Sequence, residues 1–550
     1  MSGRLKGIEM AIQKSLELPE GKRKPLYRFL EILPGALSYS LVILLFVLSW
    51  VNPVLGAIYL LVVVAITFVK AIATAFRTIQ GYKAVKQAER VNWHERLEDL
   101  EDPHAAFERL YGRQSESYEF AEHVQNLRLL SVVEGKSEPK PSEVYHAVVM
   151  VAYDEGLETL VPSIQAVQET TFPNERIIFV LGYEERGGAE MEKTAKVLAE
   201  KFQGVFKKFL LVKHPDGVKG EIVGKGPNLT YAAENLTEYV RAQRIPLENV
   251  IVTSLDSDNR MHEKYLDYVA YEFLVRPNRQ HYSYQPVSLF TNNIWEASAP
   301  MRVIAMSNSF FNVVSTMRPH LLKNFASHSQ PLAALVGMDF WSKRTIVEDG
   351  HQYWRSLFYF EGKYAVVPIR VPIYQDAVIS DTLGATLKAQ FVQLRRWDYG
   401  ASDVAYVGVR LFSKERQMPF LPLFIKFMRL LDGHVTLAIM APIVAFGGWV
   451  PMLLNLGSRG TVAFNLPNVV GIIQMIAAVG ILVTVFVSLR ILPKRPEKYN
   501  SKRTLMMVLQ WVLSPVIAIV YQSAAAFYAQ TRLMLGNYME KFDVTKKVVK

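Results

Sequence analysis

Two carboxylates at the end of an apolar run form the first chemical feature of this chain. Asp256-Ser257-Asp258 follows directly on Val250-Ile251-Val252-Thr253-Ser254-Leu255. Alternate residues of an extended segment point the same way, so both acids can turn toward one hard divalent ion through oxygen ligands. A cation held there would neutralise a diphosphate. Upstream, Gly224-Lys225-Gly226-Pro227-Asn228-Leu229 opens a helical pattern and offers an ammonium and free backbone N–H groups to a phosphate. It is not a P-loop: the stretch 220–225 is one residue short of that motif, and Gly226 stands where a hydroxyl residue is needed. Downstream come Glu348-Asp349 and then Gln393-Leu394-Arg395-Arg396-Trp397 on a basic amphipathic stretch.

The elements that must position these groups are legible around them. Apolar runs at 144–152, 176–181, 209–213 and 250–255 read as strands, and the spacing at 156–169, 189–202 and 228–243 reads as helix. Fully apolar strands alternating with helices predict a parallel sheet covered on both faces. Ligands of such sheets sit beyond the carboxyl ends of the strands. Asp154 and Glu155, Glu184, and the Asp-Ser-Asp triplet all fall on that edge.

The 550 residues exceed the roughly 100–200 of one domain, and their apolar content is uneven. Between residues 36 and 69 two apolar stretches, broken only by Asn52-Pro53, each extend to the roughly 20 residues that cross a bilayer. Further candidates are 434–454, 468–489 and 505–529. The polar first 35 residues lack the early apolar core of a cleavable signal peptide. Basic residues flank both outer ends of the hairpin (Arg23, Lys24 and Arg28; Arg77, Lys83 and Lys86), which predicts a cytoplasmic middle region and a multi-pass protein of the plasma membrane. These charges account for much of the net +11, and no basic stripe interleaved with aromatics suggests nucleic acid. With no cysteine, disulfides, thiolate metal sites and a cysteine nucleophile are excluded, and the 11 histidines show no metal-ligand spacing.

The expected organisation is an N-terminal segment (1–34), a transmembrane hairpin (35–76), a helical connector and linker (77–142), an α/β domain (143–415), an interfacial helix (416–434), a C-terminal transmembrane region (435–530) and a basic tail (531–550). For the tail, charge counting conflicts with span counting. Arg490, Lys494, Arg495, Lys498, Lys502 and Arg503 put the loop after 489 on the cytoplasmic side, whereas the preceding loop carries only Arg459. One crossing by 505–529 would then leave the basic tail outside. A single crossing is favoured over a re-entrant course broken at Ser514-Pro515, because 25 apolar residues span a bilayer once.

The order of Asp154-Glu155, Lys-Gly-Pro-Asn-Leu at 225–229, Asp-x-Asp at 256–258, Glu-Asp at 348–349 and Gln-x-x-Arg-Trp at 393–397 resembles the membrane-embedded branch of glycosyltransferase family 2, whose processive examples are the cellulose, hyaluronan and chitin synthases. The likeness covers about residues 143–434 in motifs and the flanking spans in layout. It implies a GT-A, Rossmann-like domain in which Asp154, Glu155 and Glu184 face base and ribose. It further implies that Lys225 and Arg396 contact diphosphate, with Asn228 at the same helix start, while Asp256 and Asp258 hold Mg2+ or Mn2+. Asp349, with Glu348 beside it, would act as general base, and Gln393 and Trp397 would shape the acceptor site. Val347 replaces the family's threonine, and Gly182-Tyr183-Glu184 stands where an Asp pair is common.

The expected activity is inverting transfer of a sugar from a nucleotide diphosphate sugar, uridine-linked, to a growing β-glycan or lipid-linked saccharide. Rival readings are single addition to a lipid acceptor, a non-catalytic nucleotide-sugar scaffold, and a transporter, which the lack of charge inside the spans disfavours. Asp349 has a bland alternative as a helix N-cap, and Trp397 as an interfacial anchor.

Overall fold

The computed structural model describes residues 16–132, 139–456 and 461–541. Most of the 134–141 linker, Arg459, and Lys546, Lys547 and Lys550 of the basic tail lie outside the described residues.

A mixed eight-stranded sheet organises the α/β domain: β1 (Tyr145–Ala152), β2 (Ile177–Glu184), β3 (Lys208–His214), β4 (Val250–Leu255), β5 (Arg260–Met261), β6 (Tyr282–Leu289), β7 (His328–Pro331) and β8 (Ala365–Tyr374), in the order β3-β2-β1-β4-β7-β6-β8-β5. The first four strands are parallel, in the Rossmann-like half that the apolar runs predicted. β7 then pairs antiparallel with both β4 and β6, whereas β6 and β8 are parallel. The expected class, α/β with a mostly parallel sheet and flanking apolar helices, is therefore the one observed.

Side chains alternate between the two faces of a strand, and here both faces are covered. Val148, Met150, Phe179 and Leu181 enter one core with the helices on that side. Ala147, Val149, Ile178 and Val180 enter another, against Leu229, Ala233 and Leu236 of the helix Lys225–Ala242. A third core joins the α/β domain to the membrane-type helices, placing Trp354 and Leu357 beside Leu30, Leu60 and Phe427.

Four described helices are long and apolar enough to cross a membrane: Pro25–Val51, Pro53–Ala88, Phe420–Phe446 and Ser501–Leu535. The first two form the predicted hairpin, and the Asn52 side chain caps the second by accepting from Val54 N. Residues 461–491 are also helical. The helix Phe420–Phe446 runs unbroken through the 434/435 boundary expected between interfacial and membrane segments. Asp403–Leu411 is buried against the first span: a Cβ on Gly408 would lie 2.8 Å from Leu30 Cδ1.

The run Ser501–Leu535 bends through a 3-10 turn at Gln510–Leu513, Pro515, and a π turn at Ala518–Ser523. It packs on both the α/β domain and the membrane-type helices, with Ser523 Oγ donating to the Leu437 carbonyl and Gln530 Nε2 to the His434 carbonyl. Arg503 Nη2 donates to the carbonyl of Trp295 (2.5 Å), Arg395 Nη1 to Tyr528 Oη (3.2 Å), and Met539 N to Tyr399 Oη (3.2 Å). Lys541 pairs with Val223 in an isolated β-bridge. Both ends of the run thus touch the same domain.

Candidate active site

One cavity of about 1250 Å³ lies beyond the carboxyl ends of β1, β2 and β4. It is lined by all twelve residues singled out in the sequence: Asp154, Glu155, Glu184, Lys225, Asn228, Asp256, Asp258, Glu348, Asp349, Gln393, Arg396 and Trp397. Small-molecule pockets commonly measure about 300–1,000 Å³, so this space accommodates more than a nucleotide alone.

Lys225 begins the helix Lys225–Ala242 and is the electrostatic centre of the cavity. Its Nζ lies 2.5 Å from Asp256 Oδ1 and 3.4 Å from Glu348 Oε1. Burial works to lower its pKa, but Asp256, Glu348 and Asp349 outweigh it and hold the ammonium above its ordinary range. Two close approaches build this helix start. A Cβ on Gly226 would lie 2.3 Å from the Ser342 carbonyl oxygen, so only glycine fits there. A Cβ on Gly182 of β2 would lie 2.8 Å from Asn228 Oδ1. That oxygen is buried without a hydrogen-bond partner among the described residues, beside the cavity that Asn228 lines. A buried amide oxygen left this way favours a ligand or water that donates to it.

Glu348 and Asp349 open the helix Glu348–Tyr359. Burial raises Glu348 to about 7; Lys225 opposes that rise, Asp349 adds to it, and Arg396 opposes it. Asp349 Oδ2 accepts from Ala326 N at 2.5 Å and Oδ1 from Gly350 N at 2.7 Å. The N-cap is Val347, without a side-chain capping bond, so Asp349 does not have the N-cap role weighed for it. Ala326 sits at φ 37°, in the left-handed region that costs an alanine of order 1–3 kcal/mol and is found where surrounding structure enforces it. The next residue, Ser327, accepts at Oγ from Asp256 N (3.2 Å) and Asn259 Nδ2 (2.6 Å). One loop therefore clasps both the Asp-Ser-Asp turn and the Glu-Asp pair.

The remaining acids differ in their engagements. Asp154 is exposed at the rim. Glu155 turns back on its own strand end, accepting from Tyr153 N (2.7 Å) and Asp154 N (3.2 Å) and from Ser257 Oγ (3.0 Å), and burial pushes its pKa up. Glu184 is buried in an ion pair with Arg186, whose guanidinium lies 5.0 Å from the Tyr153 ring. Asp258 Oδ2 accepts from Asp376 N at 3.4 Å. No group of three His, Cys, Asp or Glu suited to a metal occurs among the described residues. Asp256 and Asp258 both line the cavity, and a divalent ion of the magnesium type takes one or two carboxylates and completes its shell with phosphate oxygens and water.

At the other end, Gln393 is buried and accepts from Gln390 Nε2 at 3.1 Å. Trp397 is 38% exposed, with its ring 6.2 Å from that of Phe290. Several lining residues were not anticipated: Arg186, Lys323, Trp354, Asp403, His434 and Lys541. His328 is one of the 11 histidines without metal-ligand spacing. It lies in β7, buried, with its pKa pushed down to about 4 by burial against the pull of the Ala326 carbonyl and Asp349. The family pattern on which the sequence reading rested marks none of these positions.

No family model matches the chain, and no curated protein matches it. Among solved structures it is similar to the mannosyltransferase PcManGT from Pyrobaculum calidifontis in complex with GDP-Man and Mn2+, at 11% identity and TM-score 0.39 over 80% of this chain and 99% of that one. It is also similar to S. aureus TarS 1–349 in complex with UDP-GlcNAc, at 9% identity and TM-score 0.35 over 72% and 92%. With UDP alone, the TarS fragment gives 8% identity and TM-score 0.32 over 72% and 93%. Likenesses at this level carry no argument about activity, and the fold class rests on the sheet itself.

Proposed function

We propose that the chain is a membrane-bound, inverting glycosyltransferase that moves a sugar from a nucleotide diphosphate donor, uridine-linked, to a growing β-glycan or a lipid-linked saccharide. The observation that carries this reading is the convergence of a buried lysine, two strand-end aspartates and a Glu-Asp pair in one cavity that also holds Gln393, Arg396 and Trp397. Loss of a diphosphate requires stabilisation of charge on the leaving group, and this reading gives that part to Lys225 and Arg396, which both line the cavity. A divalent ion held by Asp256 and Asp258 would supply further neutralisation of the diphosphate.

In this reading Asp349 takes the proton of the acceptor hydroxyl as its oxygen bonds to the anomeric carbon and the bond to the diphosphate oxygen breaks. A single displacement of this kind inverts the anomeric centre. Each Asp349 oxygen accepts one backbone N–H and keeps acceptor capacity for a hydroxyl, because an ionised carboxylate offers about four lone-pair sites. Glu348 serves on the donor side, beside Lys225. Trp397 offers an aromatic face to an acceptor sugar.

In this reading the α/β domain lies on the cytoplasmic side, which the basic flanks of the hairpin support. The contacts of Arg503, Tyr528 and Met539 with that domain support the re-entrant course of the last apolar run over the single crossing expected, and in this reading the tail shares the side of the site. Purified protein in detergent, screened against labelled nucleotide sugars with sizing of the products, tests the proposal. Absence of both transfer and hydrolysis with every donor would overturn it.

A further inference from the structure

The end of the cavity farthest along the chain from the strand-end acids has chemistry of its own. It is lined by Lys323, Trp354 and Asp403, and by Leu430, His434 and Leu437, which share one face of the helix Phe420–Phe446. The Lys323 ammonium lies 4.6 Å from the Trp354 ring and 6.0 Å from that of Tyr353. A second ammonium, Lys426, lies 5.7 Å from the same Tyr353 ring and donates to its hydroxyl at 2.9 Å. The acid at this end, Asp403, is engaged by His351 Nδ1 at 2.6 Å. Lys323 forms no ion pair with a described carboxylate; the contacts it makes are with these rings.

Two lysines converging on one ring, beside a single carboxylate that His351 also engages, give this end of the cavity more cation than anion. Burial pushes Lys323 down to about 8, Asp403 pulls it up, and Lys426 pushes it down again. Charged groups in partly dry surroundings are stabilised by a counter-charge, and for Lys323 the described residues supply cation–π contacts and the attraction of Asp403 without an ion pair.

We infer that this end of the cavity receives an anionic oxygen group of the acceptor, a phosphate or a carboxylate, with the Lys323 ammonium as its charge partner. The inference rests on the glycosyltransferase reading and names the acceptor class of the same site. Lys323 stands three residues before Ala326, whose N–H holds Asp349. An acceptor fixed by its anion at Lys323 is thereby registered on the loop that orients the proposed base. The anion has two possible sources: the phosphate of a lipid carrier, or the carboxylate of a uronic acid in the glycan.

The test uses the full chain in detergent, first titrated with uridine diphosphate and then, with that nucleotide saturating, with paired probes: farnesyl phosphate against farnesol, and glucuronate against glucose. One anionic probe is expected to bind at least about tenfold more tightly than its uncharged partner, the effect of one charge-assisted hydrogen bond. Lys323→Met and Lys323→Gln should abolish that preference and Lys323→Arg should keep it, all with unchanged uridine diphosphate affinity. A phosphate preference assigns the lipid carrier, and a carboxylate preference assigns the uronic acid. The inference is overturned if neither anion is preferred, or if the preference survives in both neutral variants. Failure of the nucleotide itself to bind would instead remove the glycosyltransferase reading, and the probe preference would still be measurable.

Discussion

Replacing Glu348 by glutamine should change how stability depends on pH, by an amount the site itself sets. The wild-type carboxyl titrates at about 7 instead of 4.5, chiefly because burial penalises its charged form, with Lys225 recovering part of that penalty. Between those two values the folded chain holds a proton that the unfolded chain releases. Its stabilising contribution is therefore complete below pH 4.5 and is lost as pH rises through 7. The full difference corresponds to about 3 kcal/mol, as an order of magnitude. Glu348→Gln removes the titration while keeping the shape, so the variant should lack this limb and gain on the wild type as pH rises. Thermal unfolding of both proteins in the same detergent, without nucleotide, from pH 5 to 8 measures the effect. The wild-type midpoint should fall by several degrees relative to the variant across that range. Parallel curves would show that Glu348 is not buried against Lys225 as described.

Other outcomes follow from the same cavity. Asp349→Asn should bind nucleotide normally and lose about 10²–10⁴ in transfer rate, the usual weight of a general base; near-normal turnover would remove Asp349 from the mechanism. Asp258→Ala should weaken nucleotide-sugar binding with Mg2+ or Mn2+ present and leave it unchanged in chelator, whereas equal loss in both would indicate misfolding. Lys550→Cys, in a chain without cysteine, should react with an impermeant maleimide only from the side of the α/β domain; labelling from the opposite face would restore the single crossing.

The first half of the sheet was readable because β1, β2 and β4 are covered on both faces and so are largely apolar. The second half was not. β6 reads Tyr-Ser-Tyr-Gln-Pro-Val-Ser-Leu and β7 His-Ser-Gln-Pro, neither of which shows strand patterning. Their polar groups are buried because they bond to one another and to neighbouring loops: Thr253 Oγ1 lies 2.7 Å from Ser329 Oγ, and Gln285 Nε2 donates to the Phe325 carbonyl at 3.2 Å. Such pairing depends on partners distant in sequence, and buried polar groups carry no periodicity that announces them. The site divides in the same way. Charged residues at strand ends were legible by type and position, whereas the loop that clasps them works through the Ala326 N–H and the Ser327 hydroxyl, which every sequence contains in abundance. Glu184 was legible as an acid at the edge, but not as the partner of Arg186 two residues later.

Positive-inside counting assigns each arginine near a span to the lipid headgroups, yet several are used inside the protein. Arg28, counted among the basic residues before the first span, donates Nη1 to the Leu533 carbonyl at 2.6 Å and Nη2 to the Met534 carbonyl at 2.5 Å, satisfying the open end of the helix Ala524–Leu535. Arg532 donates Nε to the Asn537 carbonyl at 2.9 Å, fixing the turn at Gly536, whose φ of +72° suits glycine. Past that turn Met539 packs with Ile346 and Val347, and Lys541 reaches the cavity wall. The start of the first span thus holds the end of the last helix, and that end delivers the chain to the residues immediately before Glu348-Asp349. It was the length of the apolar run 505–529 that favoured a single crossing, against the charge of the basic tail, and the contacts of 503–541 support the proposed re-entrant course.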